Sequence, residues 1–353
     1  MSIIAPATET GTPIQLPKTQ LSRVALLLIG LVLLTFGVAG AALLSLRFGS
    51  LAITTRQAWD AVFNFDSTVY EQVVVRELRI PRTIIALAVG GSLGIAGAVM
   101  QGVTRNPLAG PSILGVSAGA SFGVTTAIFL LGVSSPREFV WFAFPGAAIA
   151  SIVVFGVAST GRGGATPVRL ALAGVVVSAL LGSWTSTLLL LSEQTMDLVR
   201  FWSVGSVAGR SLSVLRDVFP LMAPAAFGCL FLGHQLNVLA MGEESARGLG
   251  MNTTRVRLIA SALVVVLTGA AVSVAGPIGF VGLATPHIAR AIVGADYRWV
   301  IPYSFLFGSL MLVVADTVGR VAARPSEIQV GVVMAFIGAP FLIALARNRS
   351  VAN

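Results

Sequence analysis

The sequence predicts an all-α polytopic membrane protein, ten transmembrane helices arranged as two inverted five-helix repeats. Three observations predict it. First, 56% of the 353 residues are hydrophobic and 10% are charged, with mean hydropathy +0.90. Soluble domains carry about 25% charged residues, so this chain lacks the polar surface to cover a soluble globule. Second, ten apolar segments approach the roughly 20 residues that cross a bilayer as helix. Third, small residues and prolines recur along the chain at a fixed shift.

The elements follow in order. The first 20 residues are polar and rich in Thr and Pro. An uncharged run from Val24 to Leu46 then forms a retained span, too long for a signal-peptide core of about 7–15 residues. The string VAGAA near its end faintly resembles a cleavage site. Further spans are predicted near 83–101, 113–132, 139–158, 168–191, 217–236, 256–275, 277–293, 300–319 and 328–346, the eighth being short. Two connections, 47–82 and 192–216, are long and mixed. A third, 237–255, reads NVLAMGEESARGLGMNTTR. Ten spans place both termini on one side, expected to be the cytoplasm. The domains are then a polar tail (1–22), a transmembrane domain (23–347, with halves at about 24–191 and 217–346) and a short end (348–353).

This topology divides the 23 Lys and Arg almost evenly between the two faces. Cytoplasmic loops ordinarily hold the excess. An outer face so rich in arginine implies that something there requires it.

A shift of 179 residues places Arg76 on Arg255, Gly90 on Gly269, Ala96-Gly97 on Ala275-Gly276, Pro107 on Pro286 and Gly115 on Gly294. The shift spans about five helices. An odd number per repeat gives halves of opposite topology, a common transporter plan.

Several chemistries are excluded or weak. Lys18 is the only lysine and follows Pro17, so no Gly-Lys phosphate loop exists and ATP hydrolysis would need another chain. Gly90, Gly91, Gly94 and Gly97 lie inside an apolar helix and read as close helix packing. GVSAG (Gly115 to Gly119) matches the nucleophile elbow around Ser117, but the elbow needs a strand and a His/acid pair. No zinc motif surrounds His234 or His287. The single Cys229 reads as a small buried hydrophobe. No dense basic run suggests nucleic acid. Charge inside a membrane needs a reason. Asp316 and Arg320 stand one turn apart and can neutralise each other as a structural ion pair. His287, after Pro286, packs at a helix end. An ion-coupled secondary transporter using Asp316, Glu327 or His287 is the main alternative, and an intramembrane hydrolase a remote one.

RIPRTIIALAVGGSLGIAGAVMQGVTRNPLAGPSILGVSAGA, from Arg79, resembles the signature of the membrane-spanning FecCD-type subunits of type II ABC importers for iron–siderophores, haem and vitamin B12. MGEESARGLG, VSVAGPIGFVGLATPHIARAIVGADYRWVIP, ADTVGR and FIGAPFLIALAR look like that family's other blocks, in the same order, over about residues 70–347. Asn106-Pro107, Gly276 and Pro286 fall within these blocks. EIQVG stands where the family usually has Pro-Val-Gly after its Glu, a departure similar to ferric catecholate-siderophore permeases. The resemblance implies a ten-helix permease that binds no cofactor itself, paired with a second permease subunit, the same chain or a homologue. It implies two ATP-binding subunits that carry the ATP, an extracytoplasmic substrate-binding protein and a ferric siderophore substrate, within membrane lipid of the inner membrane. By motif position, Arg79, Arg82 and Arg320 would receive carboxylates of the binding protein. Glu243, Glu244, Ala246, Arg247, Leu249 and Gly250 would form the helix that couples to the ATPase.

Overall fold

The computed structural model describes residues 18–160 and 166–347; Arg162 and the segments 1–17 and 348–353 lie outside the described residues. Every described regular element is helical. Each of the ten apolar segments falls on a helix: α1 (Lys18–Arg47), α4 (Ile80–Thr104), α5 (Val116–Leu131), α6 (Pro136–Ser159), α7 (Pro167–Leu191), α9 (Leu212–Phe231), α12 (Thr253–Ala275), α13 (Val281–Val293), α14 (Tyr297–Ala322) and α15 (Val330–Arg347). Seven apolar helices are long enough to cross a membrane, and α5, α13 and α15 contribute shorter apolar stretches.

The mixed connections contain helices that hydropathy alone passes over. α2 (Thr55–Phe63) begins at a capping box in which Thr54 and Gln57 bond each other's backbone N–H groups. α3 (Tyr70–Val73) runs through a π-helical turn, Val74–Arg79, directly into α4. The span expected at 83–101 therefore extends from Tyr70 to Thr104. Arg79 and Arg82 do not end the helix, because tertiary partners satisfy them, and Arg76 and Glu77 ahead of them lie exposed. The later connections form α8 (Glu193–Ser203), α10 (Gly233–Ala240) and α11 (Glu243–Gly248). The sixth span, expected at 217–236, starts earlier and closes at Phe231.

α4 and α12 form the centre. α4 is buried on nearly every side from Arg82 to Thr104, the condition under which a helix can be apolar all round. α1 is peripheral, its apolar surface left for lipid. Small residues set the close approaches. A methyl at Gly90 or Gly94 would fall on the carbonyls of Gly308 and Ser304 of α14, and one at Gly97 on that of Gly282 in α13. α5 meets α6 through Gly119 and Gly146. Between helices in lipid such backbone proximity is a main source of attraction.

The repeat shift of 179 does not survive the structure. It carries Val116, the first residue of α5, to Ala295, past the end of α13 at Val293. Gly97 is interior to α4, whereas Gly276 lies just beyond α12 with φ +74°. Pro107 lies in a turn and Pro286 inside α13. Glycine recurs wherever two helices touch, so spacing alone matched positions that are not equivalent.

Candidate functional site: a charged clamp at one end and a folded helical loop at the other

The arginines of RIPR and ADTVGR converge at one end of the bundle. The π turn and Pro81, at the start of α4, set Arg79 and Arg82 there. Arg82 is 8% exposed and addresses two acids at once. Its Nε donates to both carboxylate oxygens of Asp316 at 2.9 Å, its Nη2 donates to Asp316 Oδ1 at 2.8 Å, and its Nη1 donates to Glu327 Oε2 at 2.6 Å. Arg320 Nε lies 3.1 Å from Asp316 Oδ2, so the expected Asp316–Arg320 pair forms within a larger network. Glu327 also accepts from Ser50 Oγ at 3.1 Å. Burial opposes ionisation of the Glu327 carboxyl, yet hydrogen bonding and charge from Arg82 hold its pKa below the usual glutamate value.

Arg79 does something different. It is 5% exposed, and its guanidinium donates to the carbonyls of Leu46, Arg47 and Leu51 at 2.8, 2.7 and 2.6 Å. Leu46 and Arg47 close α1, where the last carbonyls have no intrahelical partner. Arg320 Nη1 adds a bond to Ser45 O at 3.0 Å. The cations thus satisfy the C-terminus of α1 and oppose its dipole, binding α1 to α4 and α14. The cluster holds three arginines against Asp316 and Glu327, which leaves it with excess positive charge.

At the opposite end, Arg105 caps α4 in the left-handed region, φ +50°. Asn106 Oδ1 accepts from Leu108 N at 2.9 Å, and Pro107 O is bonded by His287 Nε2 at 2.8 Å. The Asn-Pro break is therefore a turn that the α13 histidine fastens. Arg290 bonds Gln101 nearby.

α11 forms where MGEESARGLG predicts a short helix ended by glycine. Glu243 gathers Arg247 at 2.7 Å and Arg257 of α12 at 3.1 Å. Burial works against the Glu243 carboxylate, but hydrogen bonding and charge from Arg257, joined by Arg247, hold its pKa low. Ala246 is fully buried. Of the six residues marked for coupling, Glu244, Arg247, Leu249 and Gly250 are exposed, Glu243 is half-buried and Ala246 faces inward.

The rival chemistries find other geometry. Ser117 lies in α5, entered from the 3-10 turn Pro111–Leu114 rather than from a strand. The His287 ring is committed to Pro107, and Asp316 to two arginines. Cys229 is buried. Sequence reasoning did not find the α1 carbonyls as guanidinium acceptors, nor Glu327 as the partner of Arg82. Backbone acceptors carry no sequence signal, and Glu327 lies 245 positions from Arg82.

An all-helical bundle with seven helices long and apolar enough to cross a membrane and a glycine-packed centre defines a polytopic membrane protein. The model of the FecCD transport family matches residues 19–348, so the chain belongs to that family. The siderophore transport system permease protein YfiZ of Bacillus subtilis is 43% identical over 320 residues, 91% of this chain and 96% of its own length. The ferric enterobactin transport system permease protein FepD of Escherichia coli is 45% identical over 277 residues, 78% of this chain and 83% of its own. A solved inward-facing metal-chelate type ABC transporter superposes with TM-score 0.80 at 31% identity, covering 90% of this chain and 98% of that one. The chain is a transport component rather than an enzyme, and membership of an ABC permease family implies that ATP is used by a partner ATPase.

Proposed function

We propose that this chain moves ferric siderophores, received from an extracytoplasmic binding protein, across the inner membrane. It works with a second permease subunit and two ATP-binding subunits. The observation that carries the reading is family membership over nearly the whole chain, together with relatives named for iron–siderophore and ferric enterobactin transport.

Ten membrane crossings and an inverted pair of five-helix halves fit the packing. In the first half α5, α6 and α7 pack together, and in the second α13, α14 and α15 do so; α4 and α12 pack on each other, and each packs chiefly against helices of the opposite half. α4 packs on α14 and α12 on α6, as a two-fold relation between halves requires. The end that carries Asn106 and α11 faces the cytoplasm, with both chain termini.

The docking role assigned to Arg79, Arg82 and Arg320 takes a specific form here. The guanidiniums are covered, so their excess charge acts as a field that orients an acidic partner. Glu327, about one-third exposed on its side chain, marks the one point where an incoming carboxylate can compete for Arg82. At the other end, the exposed face of Glu244, Arg247 and Leu249 seats the ATPase, while Ala246 holds that face in place.

The test is reconstitution into proteoliposomes with its ATPase and binding protein, followed by uptake of a ⁵⁵Fe-loaded catecholate siderophore. ATP-dependent uptake is expected. Uptake driven by a proton gradient without any ATPase would overturn the assignment.

A further inference from the structure

Beside the clamp lies a cavity of about 430 Å³, formed where the α8–α9 connection meets the α14–α15 connection and the α5–α6 turn. Its lining includes Arg82, Trp202, Arg210, Glu327 and Gln329. Ligand pockets commonly span about 300–1,000 Å³, so one arm of a chelate or a compact carboxylate complex fits.

Three polar atoms on this lining have no hydrogen-bond partner among the described residues: Arg210 Nε, Trp202 Nε1 and Gln329 Oε1, each removed from solvent. Buried polar atoms are nearly always paired, and an orphan asks for a partner the chain does not supply. Two of the three are donors, and one belongs to a cation. Trp202 itself is 2% exposed.

The charges around the cavity leave Arg210 alone. Arg82 is committed to Asp316 and Glu327. Asp197, also on the lining, pairs with Arg200 at 3.3 Å on an exposed surface, where screening weakens it. Burial without a counter-charge draws the Arg210 guanidinium below the usual arginine range. An anion placed beside it would restore what desolvation removes.

We infer that this cavity is an anion subsite at the outer end of the permease, in which the half-buried Arg210 guanidinium holds a deprotonated oxygen of a negatively charged ferric chelate on its way in, against the Trp202 wall. The inference rests on the importer reading and deepens it. Arg210 is the specificity-determining cation. It selects chelates that carry surplus negative charge, such as catecholate and carboxylate complexes. Neutral trihydroxamate complexes, in which three single negative charges cancel the ferric ion, gain nothing from it.

The experiment uses the full chain in lipid nanodiscs, with ferric citrate, citrate alone and a neutral ferric trihydroxamate as probes, and quenching of tryptophan fluorescence or equilibrium dialysis as readout. Arg210→Gln is expected to weaken ferric citrate and citrate roughly tenfold or more, the scale of one charge-assisted contact, and to leave the trihydroxamate unchanged. Arg210→Lys, which keeps the charge, should recover part of the loss. Wild-type affinity for ferric citrate should fall as salt rises. Equal affinities in wild type and Arg210→Gln, or a salt-insensitive wild type, would overturn the subsite. So would equal loss of charged and neutral probes, which marks a shape effect. If the Gln variant instead keeps its chelate affinity and loses capture of the binding protein, Arg210 serves protein docking and the subsite is wrong. ATP-driven uptake of the neutral chelate by Arg210→Gln proteoliposomes keeps the two levels apart: its persistence leaves the importer reading standing whatever becomes of the subsite.

Discussion

Removing the Asp316 carboxylate should cost this protein more than removing Arg82, although both belong to one network. Arg79, Arg82 and Arg320 face Asp316 and Glu327 across the clamp. An Arg82→Met change leaves two arginines and two carboxylates, so formal charge balances and Asp316 keeps Arg320. An Asp316→Asn change leaves three buried arginines and one acid. Arg82 then loses the three bonds it makes to the carboxylate, and Arg320 loses its counter-ion. With Arg82 8%, Asp316 2% and Arg320 2% exposed, little water is available to compensate. Breaking a buried pair by deleting one partner costs about 3–5 kcal/mol, and Asp316→Asn should lie at or above the upper end. Arg82→Met loses the same three bonds and the Glu327 contact, but it leaves Asp316 paired with Arg320 and strands no cation, so it should lie at the lower end.

The assay is the apparent Tm of detergent-solubilised protein, followed by fluorescence-detected size exclusion, for both single variants and the Arg82→Met, Asp316→Asn pair. The pair should be no worse than Asp316→Asn alone, because the second change removes a stranded cation. That non-additivity, about 1–3 kcal/mol between contacting residues, is the signature of a shared network. If the two single changes prove equal and simply add, the clamp is not one electrostatic unit and the reasoning fails.

Further outcomes follow from the same structure. Gly97→Ala, whose methyl meets the Gly282 carbonyl, should abolish stable expression, while Gly182→Ala, with open space around it, should be silent; equal behaviour in a melting assay would refute the packing account. Leu249→Asp and Glu244→Lys lie on the exposed face of the α11 loop and should uncouple ATP hydrolysis from uptake without lowering Tm, whereas Ala246→Trp should unfold the loop, being fully buried; coupling that survives both surface changes would remove this loop from the ATPase interface. Single cysteines at Ser134 and Ser203, both exposed, in a Cys229→Ser background should react with an impermeant thiol reagent from outside; Ser206 is buried and a poor reporter. Asp296 caps α14; hydrogen bonds from the Arg298 guanidinium, then from Asn237 Nδ2 at 2.6 Å and Arg298 N at 3.0 Å, lower its pKa to about 2 against the opposing effect of burial. Its stabilisation is present above the unfolded value near 4 and fades as pH falls toward 2. The Tm gap between wild type and Asp296→Asn should close over that window, and a gap unchanged by acid would count against the cap.

The sequence by itself determined that this chain crosses a membrane, and nearly where. Hydropathy depends on composition along a segment, so all ten apolar runs fall on helices, α5 and α13 included despite their length. It placed the Asp316–Arg320 pair, because residues one turn apart on a helix must be neighbours. It marked Gly90, Gly94 and Gly97 for close contact, because only glycine lets two backbones touch. It also marked the loop that folds as α11, since acidic residues followed by Arg and Gly carry a local helix signal. What it left open was every relation between distant segments. The start of the second span was misplaced because Arg79 and Arg82 look like a helix boundary until the carbonyls at the end of α1 and the distant carboxylates are in view. The repeat shift failed for a similar reason, since spacing cannot separate a helix interior from a helix end. The fate of Arg79, Arg82 and Arg320 was decided only by the tertiary structure. Charge can be counted along the chain, but whether a guanidinium faces solvent or a carboxylate 234 positions away depends on how α4 and α14 cross.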